Sequence, residues 1–191
     1  IKWSYYLKLL DIHVDTGDNI RIFTAGLGMT VTPGKLGEFL KAYLIKEFKN
    51  VPISVTSPLI VTERLTDGIS MIILAGIGTL RFKYGSGIML GAVLLVVFFI
   101  AFVRIRPFAM WVIGLLKKLP LLRKIGKQID AFYGSSYQLL QVKPLIFSTL
   151  IGVVSWSFEG AVIFLAMKAF HHPVSILSSV FVVAFSSIAG A

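Results

Sequence analysis

Hydrophobic positions in this chain gather into long runs instead of alternating with polar ones. Residues 84–103 carry no charge over twenty positions. That is about the length an α-helix needs to cross a ~30 Å hydrocarbon core. Residues 173–191 are also charge-free, and 144–167 are apolar except for Glu159. Residues 58–80 are apolar in their second half, while the first half holds Glu63, Arg64 and Asp67. These four segments are the expected membrane spans. The pattern predicts an all-α fold, a polytopic transmembrane helical bundle forming one membrane domain over 1–191.

Two other segments have their own pattern. Residues 21–31 are apolar after Arg21, Thr32-Pro33-Gly34 interrupts them, and an amphipathic run follows over 35–48. Eleven helical residues rise only about 16 Å, too little to cross a bilayer. A re-entrant helical hairpin over about 19–49 is the natural solution, because irregular backbone at membrane depth needs a cover of protein or a wet cavity. An interfacial helix–turn–helix that never dips in is the alternative. Within 104–143, residues 107–116 are apolar. Beyond them Leu122, Ile125, Ile129 and Phe132 alternate with Arg123, Lys124, Lys127 and Gln128. That spacing makes one apolar and one basic face, as in an amphipathic helix lying at the membrane interface; a solvated loop helix would also fit.

Composition agrees with the pattern. Hydrophobic residues make up 56% and charged residues 15% of the chain, against about 25% charged in a soluble domain. Mean hydropathy is +0.85. The absence of Cys excludes a disulfide framework, a thiolate metal site and a cysteine nucleophile. The net charge of +10 would raise nucleic acid as a partner in a soluble protein. Here the bases flank the apolar runs and no nucleic-acid motif accompanies them, so anionic lipid head groups are the better partner. The chain begins without Met and ends inside an apolar run, so it reads as an internal piece of a longer membrane protein.

Charge asymmetry sets the expected topology. Seven bases and no acid lie between Val103 and Gln128, against Arg81 and Lys83 at the other end of the 84–103 span. The positive-inside rule places 104–143 in the cytoplasm of a multi-pass cell-membrane protein.

Two constellations can carry chemistry. A charge near the middle of a span costs about 2.5–3.5 kcal/mol even on the lenient insertion scale, so Glu63, Arg64 and Asp67 within five residues need a reason. On a helix Glu63 and Asp67 lie four apart, and Arg64 and Asp67 three apart. One carboxylate can pair with Arg64, leaving the other for a partner or a ligand; an ion pair locking two helices is the plainer reading. The second constellation is Thr32-Pro33-Gly34-Lys35-Leu36-Gly37-Glu38. Pro33 and Gly34 end one helix, and Lys35 opens another whose free N–H groups suit an anion. Glu38 can pair Lys35 or bind a cation. Weaker features are Glu159 beside Trp156, a loop at His171-His172, and Gly87-x-x-x-Gly91, which lets helices approach closely. No catalytic motif is recognisable: Gly26-x-Gly28 lacks a third glycine, and there is no Gly-x-Ser-x-Gly, His-Glu-x-x-His or P-loop. Nothing calls for a cofactor or a metal ion.

At these residues the chain resembles the transmembrane region of lysylphosphatidylglycerol synthases and the wider flippase-like membrane family. The matching pieces are Lys2-Trp3, the run Thr32-Pro33-Gly34-Lys35-Leu36-Gly37-Glu38-Phe39, and Glu63-Arg64-Leu65-x-Asp67. Residues 185–191 are similar to the approach to a second Pro-Gly-Gly-x-Gly motif, itself missing here. The resemblance implies a lipid-translocating or lipid-handling domain. In aminoacylating members the chemistry lies in a separate soluble domain, and other members accompany glycosyl transfer to polyprenyl-phosphate lipids. A faint echo between 23–28 and 185–190 is compatible with inverted repeats.

The resulting expectation is a flippase-like domain for an anionic, aminoacylated or polyprenyl-phosphate lipid. Lys35, Arg64 and Arg21 would meet the phosphate, with Pro33, Gly34 and Gly37 shaping the turn. Glu38, Glu63 and Asp67 would hold these cations or meet a cationic head group. Partners would be membrane lipids, with a homo-oligomer or an attached transferase domain. The rivals are a membrane-embedded transferase using Glu38 or Asp67 as base, and a non-catalytic scaffold for a glycosyltransferase. The topology can be tested directly, because the chain has no Cys. Lys118→Cys should resist an impermeant thiol reagent in intact cells and Lys83→Cys should react; the reverse labelling would invert the orientation.

Overall fold

A computed structural model describes residues 1–29, 32, 37–82, 86–118, 120–172 and 174–189. Pro33, Gly34 and Lys35, the centre of the expected hairpin turn, lie outside the described residues. In chain order the helices are α1 (Lys2–Leu9), α2 (Thr16–Gly28), α3 (Leu40–Lys49), α4 (Ile53–Phe82), α5 (Ser86–Arg104), α6 (Arg106–Leu116), α7 (Pro120–Arg123), α8 (Gly126–Leu139), α9 (Val142–Ala169) and α10 (Ile176–Ala189). The all-α class expected from the apolar runs holds, with no strand among the described residues. Among them α9 is by itself long and apolar enough to cross a membrane, rising about 42 Å over its length. The pair Met89–Arg104 and Arg106–Leu116 reaches the same composition but bends by 83°.

The chain forms two compact units. The first comprises Ile1–Glu63 with Ile100–Pro144, the second Arg64–Phe99 with Leu145–Ala191.

In the first unit Trp3, Tyr6, Leu7, Ile12, Ile22, Ile45, Leu59 and Leu139 form the core. The end of α1 shows how the chain enters it. Asp11 takes a left-handed φ of 57°. The Asp11 N–H then reaches Lys8 O at 3.2 Å and the Ile12 N–H reaches Leu7 O at 2.9 Å. This paired closure satisfies carbonyls the helix would otherwise leave open, and it brings the apolar Ile12 back onto Leu7. α2 and α3 pair antiparallel: Lys49 Nζ lies 2.7 Å from Asp15 at the open end, and Lys41 passes Gly26 near the turn. Asn50, with φ 56°, terminates α3.

The break between α5 and α6 has a covalent cause. Pro107 has no N–H, so the Val103 carbonyl loses the donor a continuous helix would provide. Tyr133 of α8 replaces it, its hydroxyl donating to Val103 O at 3.1 Å. Phe102 and Phe108 meet edge-to-face across the bend, 5.7 Å between centroids.

In the second unit Met71, Leu74, Ala75, Met89 and Ala184 are the buried core. Gly160 of α9 sets the approach of α10, since a Cβ there would come within 2.7 Å of Val180 Cα. Gly87 and Gly91 instead face open space. The Ser70 hydroxyl is shared between the carbonyls of Thr66 at 2.7 Å and Thr149 at 3.0 Å, joining α4 to α9. His171 ends α9 in a left-handed turn, φ 59°, with the His172 N–H closing on Met167 O at 3.0 Å. The pair of histidines thus serves a helix terminus. Thr66, Ser70 and Ser148 are buried, while Leu95, Phe98, Phe158 and Val162 are exposed. This is the reverse of a water-soluble domain, and it suits a solvent that takes apolar side chains and gives polar ones no partner. Glu159 is exposed on α9.

Burial pushes the Tyr133 hydroxyl above its ordinary pKa of 10.0, with Arg106 opposing and Tyr137 adding to the shift. A raised folded-state value means that the stabilisation is whole below the unfolded value and is lost as pH rises through the folded one. Tyr133→Phe should cost about 1 kcal/mol by orphaning the Val103 carbonyl. Thermal melts should show this at neutral pH, and the wild-type advantage should fade above pH 10.

Candidate functional site: a buried lysine between two carboxylates

The site is built from the turn before α3 upward. Thr32 Oγ1 donates to Met29 O at 2.9 Å and accepts the Gly37 N–H at 2.8 Å. Any Cβ at Gly37 would lie 2.5 Å from Met29 O, so only glycine lets the chain close here. The closure delivers Glu38 into a short 3₁₀ turn, residues 37–39, that leads into α3. Lys41 follows one turn later on the same side.

Lys41 does not point to water. Its Nζ lies 2.8 Å from Glu63 Oε2 and 3.7 Å from Glu38 Oε2, and the three side chains are only 5%, 11% and 2% exposed. Its stem runs along α2 where Gly26 leaves room; a Cβ there would lie within 2.6 Å of Lys41 Cδ. The ammonium sits 4.8 Å from the Trp3 ring centroid and 5.8 Å from that of Phe23. Ring faces are electron-rich and attract such a cation. The indole is fixed in turn: Trp3 Nε1 donates to Asn19 Oδ1 at 2.9 Å, and Asn19 Nδ2 donates to Ser4 Oγ at 2.9 Å. A buried ion without a counter-ion costs several kcal/mol, and here carboxylates and aromatic faces replace the water that Lys41 gives up.

The other expected residues fall elsewhere. In the second unit Arg64 Nη2 lies 3.2 Å from Asp67 Oδ2, one turn apart on α4. Arg64 is half-exposed and Asp67 more enclosed. Arg21 is 77% exposed and 3.5 Å from Asp18 on the surface of α2, away from Lys41. Lys35 is outside the described residues, so Glu38 is placed here by Lys41. Among the described residues no three His, Asp or Glu side chains converge as metal ligands do.

Sequence reasoning missed Lys41, Trp3 and Gly26 as parts of one site. The Glu38-x-x-Lys41 spacing was a usable signal, since residues three apart share a helix side. The role of Trp3 and Gly26 needs the α1–α2–α3 packing to be seen. Removing one partner of a buried ion group is far costlier than removing a surface charge. Lys41→Met keeps the apolar stem and deletes the ammonium. It should lower stability by about 3 kcal/mol, read as a large drop in melting temperature, whereas Arg21→Met should leave the melt nearly unchanged.

Comparison with known proteins adds the family. No curated protein and no solved structure matches the chain. The family model described as "Lysylphosphatidylglycerol synthase TM region" matches residues 1–191, the whole chain. Its matched length takes in Gly37, Glu38 and Lys41, the Glu63-Arg64-x-x-Asp67 stretch, and the apolar helices α9 and α10. The chain is a membrane protein and belongs to the lysylphosphatidylglycerol synthase transmembrane-region family.

Proposed function

We propose that this domain moves a charged lipid between leaflets, the lipid being anionic, aminoacylated or polyprenyl-phosphate-linked. The observation that carries the reading is the buried group of Glu38, Lys41 and Glu63. Ionisable side chains inside a membrane protein are costly, and they typically mark a path for ions or polar head groups. A head group leaving water needs fixed charges to replace its hydration, and these residues supply both signs. Arg64, Lys35 and the solvent-facing Arg21 would meet phosphate oxygens. Glu38, Glu63 and Asp67 would hold the cations or receive a cationic head group. Residues 104–143 face the cytoplasm in this reading, and a second copy or an attached transferase domain would be its partner. A scaffold reading, in which the charges serve only as helix-locking ion pairs, is separated by experiment.

The test is a leaflet-resolved lipid assay on the full-length protein in liposomes, paired with thermal melts. Arg64→Lys keeps the charge but loses the planar fork that holds two oxygens. Transport should fall about tenfold, the worth of one charge-assisted hydrogen bond, with the melt unchanged. Wild-type transport by Arg64→Lys, together with a lowered melt for Arg64→Ala, would leave a structural ion pair and remove the phosphate role.

A further inference from the structure

The first unit carries a second polar surface, which the buried charge group does not use. Beyond the bend at Ile105, α6 presents Phe108, Trp111 and Leu115 at spacings of three and four, hence on one side of the helix. All three are exposed, Trp111 to 65%. Phe108 and Trp111 stack, with centroids 6.1 Å apart and planes at 19°. The Phe102 edge contact and the Tyr133 bond to Val103 hold the base of α6 in this direction. The aromatic pair is thus fixed facing outward.

The bases around it are exposed too: Arg104, Arg106, Lys118, Arg123, Lys124 and Lys127. Residues 104–143 contain one acid, Asp130. It is taken by Lys117, whose Nζ lies 2.6 Å from both carboxylate oxygens. The segment therefore neutralises one of its eight bases and leaves these six, with Lys143 further along the chain, facing out. An acidic soluble partner or a nucleic acid would suit the charges but would leave the Phe108, Trp111 and Leu115 stripe in water. A bilayer surface accepts both, because indole and phenyl rings settle at head-group depth while lysine and arginine reach lipid phosphates.

We propose that α6, with the bases of α7 and α8, is a docking surface for an anionic phospholipid leaflet. Phe108, Trp111 and Leu115 enter at the level of the head groups, and the six bases gather anionic lipids around them. The surface stands apart from the translocation reading and survives its failure. It would enrich anionic lipid beside the domain and fix the depth at which α6 lies.

Gly114 offers a probe position, since it is exposed and a Cβ there meets nothing within 4 Å. The full-length protein carrying Gly114→Cys, labelled with an environment-sensitive dye, is reconstituted in vesicles of phosphatidylcholine, or of phosphatidylcholine with phosphatidylglycerol. A quencher at head-group level should act most strongly in the anionic vesicles, and added salt should weaken it. Each base near an anionic surface raises occupancy roughly fivefold. Replacing Lys118, Arg123, Lys124 and Lys127 together by Gln should therefore remove most of the difference between the two vesicles, with Arg104 and Arg106 supplying what remains. Equal access of a water-borne quencher in both vesicles would mean a solvated helix or a protein-docking face. Strongest quenching from the acyl-chain depth would mean a buried span. A lipid difference left undiminished by the four substitutions would remove the role of the bases. Each of these outcomes overturns the proposal. If the four-site variant melts early, the salt titration of the labelled parent decides: a difference that persists at high salt overturns the surface as well.

Discussion

Hydrocarbon offers no hydrogen bonds, and the rest of this structure follows from that constraint. A polar group shut away from water likewise needs a partner within the protein. Lys41 finds Glu63, Glu38 and the face of Trp3. Ser70 finds two carbonyls on two helices. The Val103 carbonyl, abandoned by Pro107, finds Tyr133. Apolar side chains are free to face outward, so Leu95, Phe98 and Phe158 are exposed while threonines and serines are inside. On these helices outward apolar side chains suit a hydrocarbon solvent, which would penalise them less than water does.

Small residues decide where such partners can meet. Gly26 lets a lysine stem lie against α2, Gly37 lets the turn close on Met29, and Gly160 lets α10 approach α9. None of these glycines needs an unusual backbone angle; each is required because a neighbour occupies the space of its Cβ. The result is a cationic group held from several sides in the first unit. Long flexible side chains are expensive to order, and a lysine enclosed by a glycine, two carboxylates and an indole has already lost most of that freedom.

The α5–α6 bend shows how a local covalent fact acquires a wider consequence. Proline at position 107 interrupts one hydrogen bond, and the chain turns by 83°. The turn carries an aromatic pair and a run of bases to the surface.

The sequence alone determined the class of protein. Charge-free runs of membrane length admit only helices that satisfy their own backbone, so the all-α membrane fold could be read before any contact was known. The unusual positions were legible too: Glu63, Arg64 and Asp67 stand out because charge is rare in such runs, and the Thr32-to-Glu38 turn because it stops a helix too short to cross. The resemblance to the family rested on those same residues. Which charges meet was not legible. Glu63 and Arg64 are neighbours in sequence, but a helix turns about 100° per residue. Glu63 therefore joins Lys41 in one unit while Arg64 pairs with Asp67 in the other. Lys41 looked like an ordinary base on an amphipathic helix. Only the packing of α1, α2 and α3 buried it, because burial depends on what the other side of a helix faces, and residues distant in the chain decide that.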